Sequence, residues 1–369
     1  MIREEINEIK KKFNKDTNVI TKYAGCYVDA EKNIKFMTKD AFYSLPEEDA
    51  FKYEEIFRKT LSGAVGKSLL TLDFSIDEEG EDTPHAFLMK LRESRLDDEL
   101  ILDEFFRKVI DAYEYAENYY IILVDMMYDI PGKSSDKLAM DDASNEVYHG
   151  LLCSIFPVTL SKPALSYFAN EGVIANRIRD WIVGMPMHGF LFPAFTDRTT
   201  DIHAALYFSK KNDALNESFI NEIIGVNPPM SSVMQKETFE AVLYDVLRDE
   251  LTMPVMSALS SNMLDLIAEN SQNPEPLVLT KNDMVKLISK SGVSDEAVES
   301  YEKSADADIE VLADNVVDTK KFEVKTPGIT VKTDTDSIEK LETRVIDGRK
   351  YLLVPIEDDV EVNGMPVKA

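Results

Sequence analysis

Apolar positions along the chain fall into two rhythms. Ile2, Ile6, Ile9 and Phe13 recur at helical spacing and predict a helix over 2–13, with Asn14 as its stop. Leu102, Phe106, Val109, Tyr113 and Ala116 draw one apolar stripe along 98–116, the clearest helix of the chain. Between them lie extended segments. Residues 17–29 and Ile34–Phe36 are joined by a turn at Ala30–Asn33, and Leu69–Ile76 alternates like a strand. Ser44-Leu45-Pro46-Glu47 has the form of a capping box and predicts a helix through Phe51, Ile56, Phe57 and Leu61, ending at Gly63.

Four strand-like runs follow: Tyr119–Met127, Val147–Thr159, Gly189–Phe195 and Ile202–Ser209. Strand and helix signals do not alternate as βαβ, so the fold class is α+β, with an antiparallel or mixed sheet flanked by helices. From 213 the pattern turns helical, over 213–224, 232–249, 254–269, 281–290 and 295–303. Ser232–Gln235 forms a second capping box, and Thr280 and Ser294 are placed to cap the last two helices. Residues 270–276 and the acidic stretch 304–319 serve as linkers. Pro327-Gly328, Asp347-Gly348 and Asn363-Gly364 each separate short apolar runs and predict small β-hairpins. Three regions are expected: an α+β core over 1–212, a helical region over 213–305, and an acidic linker with a small β region over 306–369.

Charge narrows the partners. The 369 residues carry 41 Lys+Arg against 68 Asp+Glu, a net charge of −27. A field of that sign repels nucleic acids and anionic membranes. Hydrophobic residues make up 44%, enough to build cores. Cys26 and Cys153 are the only cysteines, acids follow Met1 almost at once, and the longest apolar runs are short, such as Ile121–Val124. A soluble cytoplasmic protein is expected. The acid-rich loop 77–82 and the 304–319 linker allow a third role, as contacts for a basic partner.

Candidate chemistry is sparse. Gly63–Ser68 ends like a phosphate-binding loop, but Leu61 stands where that motif needs glycine, and a helix rather than a strand precedes it. Asp197, Asp201 and His203, with Arg198 beside them, form the densest polar cluster; two carboxylates and an imidazole suit a divalent ion, and arginine suits a phosphate. The plainer reading makes them turn formers. Arg177, Arg179 and the single tryptophan, Trp181, form a cationic and aromatic stretch suited to an anion or a protein partner, or else to internal ion pairs around a buried ring. Glu146 and His149 stand three apart and Cys153 lies four beyond, but on a strand these spacings give neither a metal site nor a dyad. No metal site is expected from spacing, and no cofactor is indicated. The helix pair 281–303 carries acids where a DNA-reading helix needs cations, so it is expected to pack or dock rather than read DNA.

Several stretches resemble one bacterial family, the domain of unknown function 4317 of Clostridia and related Firmicutes. They are Gly25–Asp29, Phe51–Gly63, Met140–Ile155, Asn176–Pro186, Gly189–Phe208, Val317–Ile329 and Glu342–Pro355. The resemblance spans nearly the whole chain and implies a bacterial, cytosolic, full-length protein. It implies no activity, cofactor or catalytic residue. The expectation is therefore a non-catalytic binding or regulatory protein. The alternative is a metal-dependent phosphoester or nucleotide-acting enzyme using Asp197, Asp201 and His203, with Arg177, Arg179 and Arg198 as clamps.

Overall fold

Two segments carry more apolar residues than one buried face can use. Every residue from Tyr119 to Met126 is buried, as is every residue from Gly150 to Phe156. Side chains alternate between the faces of a strand, so such runs require cover on both sides. The computed structural model supplies it. It describes all residues except 15, 134–138, 141–145, 212, 214, 305–306, 357–359 and 368–369, so parts of the Met140–Ile155 stretch and of the 304–319 linker lie outside the described residues. The chain forms two compact units, Met1–Ser231 and Ser232–Ala369.

The first unit is built on strands β1 (Ile20–Val28), β2 (Ile34–Ala41), β3 (Leu69–Asp73), β4 (Tyr119–Ile130) and β5 (Glu146–Leu160). It continues with β6 (Leu165–Phe168), β7 (Val173–Asn176), β8 (Trp181–Val183), β9 (His188–Phe192), β10 (Ala194–Thr196), β11 (Thr199–Asp201) and β12 (Ala204–Ser209). The main sheet runs β2-β1-β4-β5-β9-β12-β3, with β8 against the C-terminal end of β5, and every strand pairing in it is antiparallel. Odd positions of β4 (Tyr119, Ile121, Leu123) join one core with helices α3 (Pro84–Glu93) and α4 (Glu99–Ala112). Even positions (Tyr120, Ile122, Val124, Met126) join a second core with α1 (Arg3–Lys11) and α2 (Glu47–Thr60). The fold is thus α+β, and of the two sheet types expected it is the antiparallel one.

Several boundaries differ from the pattern. Ser44 does not cap α2: its hydroxyl donates to the Ala41 carbonyl, and Pro46 takes the cap position. The stretch 83–93 is a helix that the periodicity did not announce, started by Thr83, whose hydroxyl accepts from Ala86 N–H, with Pro84 at the first turn. The run Gly189–Phe195 breaks at Pro193 into β9 and β10. The expected helix 213–224 reduces to one turn capped by Asn216 and a π-helical segment, Ile220–Ile224, ended by Gly225 at φ 93°. Its Phe219, Ile220 and Ile223 enter the first core.

The second unit holds α5 (Ser232–Leu247), α6 (Met253–Glu269), α7 (Lys281–Lys290) and α8 (Asp295–Lys303), packed around Phe239, Leu259, Ile288 and Tyr301. Ser232 lies inside α5 rather than at a capping box, and Gln235 accepts from Leu312 N–H and Asn315 Nδ2. Thr280 and Ser294 cap α7 and α8 as their positions predict. Three exposed hairpins follow, turning at Gly328, Asp347-Gly348 and Asn363-Gly364 with positive φ.

Two outcomes test this packing. A Cβ on Gly189 would stand 2.4 Å from the Cys153 carbonyl oxygen, a backbone atom that cannot yield alone. Gly189→Ala is therefore expected to lower the unfolding free energy by about 1–3 kcal/mol in urea titration. Asn216 N–H donates to the Tyr207 hydroxyl, which in turn donates to His188 Nδ1, and burial pushes the imidazole down to about 4. The folded protein keeps this ring neutral while the unfolded chain gains its proton below 6.5, so stability falls as pH drops from 6.5 to 4, by up to about 3 kcal/mol. Melting curves of His188→Gln should show a flatter pH dependence across that window than the parent protein.

Candidate functional site

A carboxylate inside a doubly covered sheet needs partners, because desolvation of an unpaired charge costs several kcal/mol. Asp125, on β4, is fully buried. His149, on β5, donates from Nε2 to Asp125 Oδ1 at 2.5 Å, and the Thr21 hydroxyl donates to Oδ2. Arg95 Nε lies 3.9 Å from Oδ2. A second arginine, Arg92, donates through Nε to the His149 carbonyl at 2.8 Å. Burial pulls its guanidinium below the usual arginine range. No described residue accepts from the two terminal nitrogens of Arg92.

Local backbone features converge on this centre. The β1–β4 register shifts between Ile20 and Lys22, and the bulged residue is Thr21. Bulges of this kind re-aim a side chain, here onto Asp125. Arg95 and Leu96, between α3 and α4, adopt φ of 52° and 59°. A branched or bulky residue in that region costs about 1–3 kcal/mol and persists only when its surroundings hold it there. Leu96 is buried in the core, and that anchor sets Arg95 over the carboxylate. Arg95 is 46% exposed and His149 17%. The centre therefore reaches solvent through Arg95 and the edge of the His149 ring while the acid stays inside. Sequence reading considered His149 only along its own strand and missed Asp125. The available signal was a lone acid within the apolar run Tyr119–Met127.

The clusters singled out from the sequence lie elsewhere. Asp197 and Arg198 are the two turn residues of the β10–β11 hairpin, with φ of 52° and 59°. Arg198 is held by Glu8 of α1, at 2.8 Å from Nη2 to Oε1, and that carboxylate pushes its pKa up. Asp197 N–H donates to Glu5. Asp201 accepts from His203 N–H, and the His203 ring pairs with Glu79 at 2.7 Å, which raises its pKa. Among the described residues no group of three or more His, Cys, Asp and Glu is arranged to hold a metal ion. Arg179 Nε donates to the Ser161 carbonyl, while Arg177 meets no side-chain partner among the described residues. Trp181 is 55% exposed rather than in the core. No described hydrogen bond or ion pair joins 176–181 to 196–203.

The family model for the domain of unknown function DUF4317 matches residues 1–365. The chain belongs to the DUF4317 family. No match is found among curated proteins. In this DUF4317 chain no helix, among the described residues, is long and apolar enough to cross a membrane. Cys153 and Cys26 are buried thiols, and burial raises the Cys26 pKa to about 12, so neither is poised as a nucleophile. The second unit carries a cleft of about 400 Å³ whose lysines are matched by acids: Lys236 by Glu240, Lys321 by Asp334, and Lys325 and Lys332 by Glu323.

Removing the Asp125 carboxyl would leave the His149 donor without its acceptor in a buried setting, while the Thr21 hydroxyl keeps only the backbone carbonyl of position 125 at 3.3 Å. Asp125→Ala is expected to cost about 3–5 kcal/mol in denaturant unfolding. A double-mutant cycle with His149→Ala should return a coupling of about 1–3 kcal/mol; additive losses would mean that the two side chains do not act together.

Proposed function

We propose that this DUF4317 chain is a cytosolic bacterial protein with a non-catalytic binding or regulatory role, and that its ligand is a small anion taken at the Asp125 centre. The observation that carries the reading is local charge. Arg92, Arg95 and His149 gather around one carboxylate in a chain of net charge −27. Asp125 balances one of these groups and fixes the imidazole by accepting its Nε2–H. That leaves the terminal nitrogens of Arg92 and the half-exposed Arg95 guanidinium, whose Nη2 rests on the Met127 sulfur at 3.0 Å. Such an arrangement of planar donors suits a phosphate or carboxylate group. The enzyme alternative would draw Asp197, Asp201 and His203 onto one ion; the ties of Arg198 to Glu8 and of His203 to Glu79 offer it no support.

Thermal shift with inorganic phosphate tests the reading. The parent protein should melt several degrees higher, since a ligand at about 100 times its Kd adds about 2.7 kcal/mol. Arg95→Gln combined with His149→Gln should abolish the shift while leaving the protein folded. An unchanged shift in that variant, or none in the parent with phosphate or a dicarboxylate, removes the anion reading. A Mg²⁺- or Mn²⁺-dependent shift lost in Asp197→Ala plus Asp201→Ala would favour the enzyme instead.

A further inference from the structure

Residues 161–185 leave the main sheet and return to it. They carry the hairpin β6–β7, closed by Arg177 N–H donating to the Ala164 carbonyl, and the short strand β8 on the end of β5. The register sets Tyr167 opposite Ile174, with Leu165 on the same face two residues away. Leu165, Tyr167, Ile174, Ile178 and Trp181 are all between 55% and 72% exposed. Exposed to that degree, these five side chains leave roughly 500 Å² of apolar surface in water along the arm, at about 150 Å² each when fully exposed. An ordinary monomer shows roughly 300–600 Å² in its largest patch, and each partner of a stable pair contributes roughly 800 Å².

The hairpin is also short of strands. It is a two-stranded sheet whose outer edges pair with no described strand. A two-stranded ribbon is marginal in water and needs a further strand or an apolar cover. An edge paired antiparallel with its own copy satisfies a two-fold axis, which is the commonest symmetry of protein pairs. Charge selects the same place. Two copies at −27 repel each other over most of their surfaces. Between 161 and 185 three cations, Lys162, Arg177 and Arg179, outnumber two acids, Glu171 and Asp180. The arm is thus a segment on which two copies meet with little repulsion.

We infer that the 161–185 arm is a self-association surface, on which a second copy of this chain pairs across a two-fold axis, hairpin against hairpin, and covers Tyr167, Ile174 and Trp181. Sedimentation velocity of the full chain over the micromolar range tests it. The parent protein should sediment as a dimer. Tyr167→Asp with Ile174→Asp should weaken the dimer at least roughly tenfold, about 1.4 kcal/mol, with unchanged far-UV circular dichroism. Ile178→Arg with Trp181→Ala, outside the hairpin ladder, serves if the first variant loses its fold. Leu100→Asp, an exposed leucine of α4, should leave the dimer intact. Added salt should tighten the dimer by screening the like charges. A parent protein that stays monomeric, or a dimer indifferent to both arm variants, overturns the inference. So does flotation of a monomeric parent with phosphatidylcholine vesicles that depends on Trp181, which would assign the arm to a lipid surface.

Discussion

Cover on both faces of the β4–β5 pair is the constraint from which the first unit follows. An antiparallel sheet usually wets one face and alternates polar with apolar residues. Here the central strands are apolar at consecutive positions, so helices must lie on each side: α1 and α2 on one, α3 and α4 on the other. Each fully buried aliphatic or aromatic side chain contributes about 1.5–3 kcal/mol. A polar group in that layer is costly without a partner. Ser154 on β5 has one in Thr60 of α2, at 2.8 Å between hydroxyls.

Asp125 is the demanding case under the same constraint. Its carboxyl is fully buried, and the surrounding elements bring donors to it. The β1 bulge delivers Thr21, β5 delivers His149, and the left-handed pair Arg95-Leu96 delivers a guanidinium. Backbone irregularities in two of these three segments serve one carboxylate. Leucine at the same position would need none of them, and buried ion pairs are often no more stabilising than well-packed apolar replacements. That argues for a role beyond stability.

Residues 161–185 sit outside this cover. β8 gains only the end of β5 as a neighbour, and the β6–β7 hairpin has no helix over either face among the described residues. Arg177, Arg179 and Trp181 thereby become surface groups, whereas the hairpin turn at Asp197-Arg198 is tied down by α1.

Local chemistry was legible in the sequence. Thr280 and Ser294 mark the starts of α7 and α8 because a hydroxyl three residues before an unpaired N–H can satisfy it. Gly328, Gly348 and Gly364 mark their hairpins because those turns need positive φ. The α4 stripe and the strand runs announced the α+β class, since their periods are set by neighbours within a turn or a pleat. What the sequence could not settle depends on partners far along the chain. Asp125 meets His149 across 24 residues and Thr21 across 104, through a ladder whose register no local pattern records. The cap at Ser44 failed, and the 213–224 helix shortened, for a related reason: the Ala41 carbonyl and the core around Phe219 offered better partners than a regular helix end. The sequence by itself determined most of the helices, strands and turns, though not α3 or the strands β6, β7 and β8. Tertiary structure decided which face each strand buries, which partners Asp125 meets and which apolar residues stay in water, because those outcomes are set by contacts between elements rather than within them.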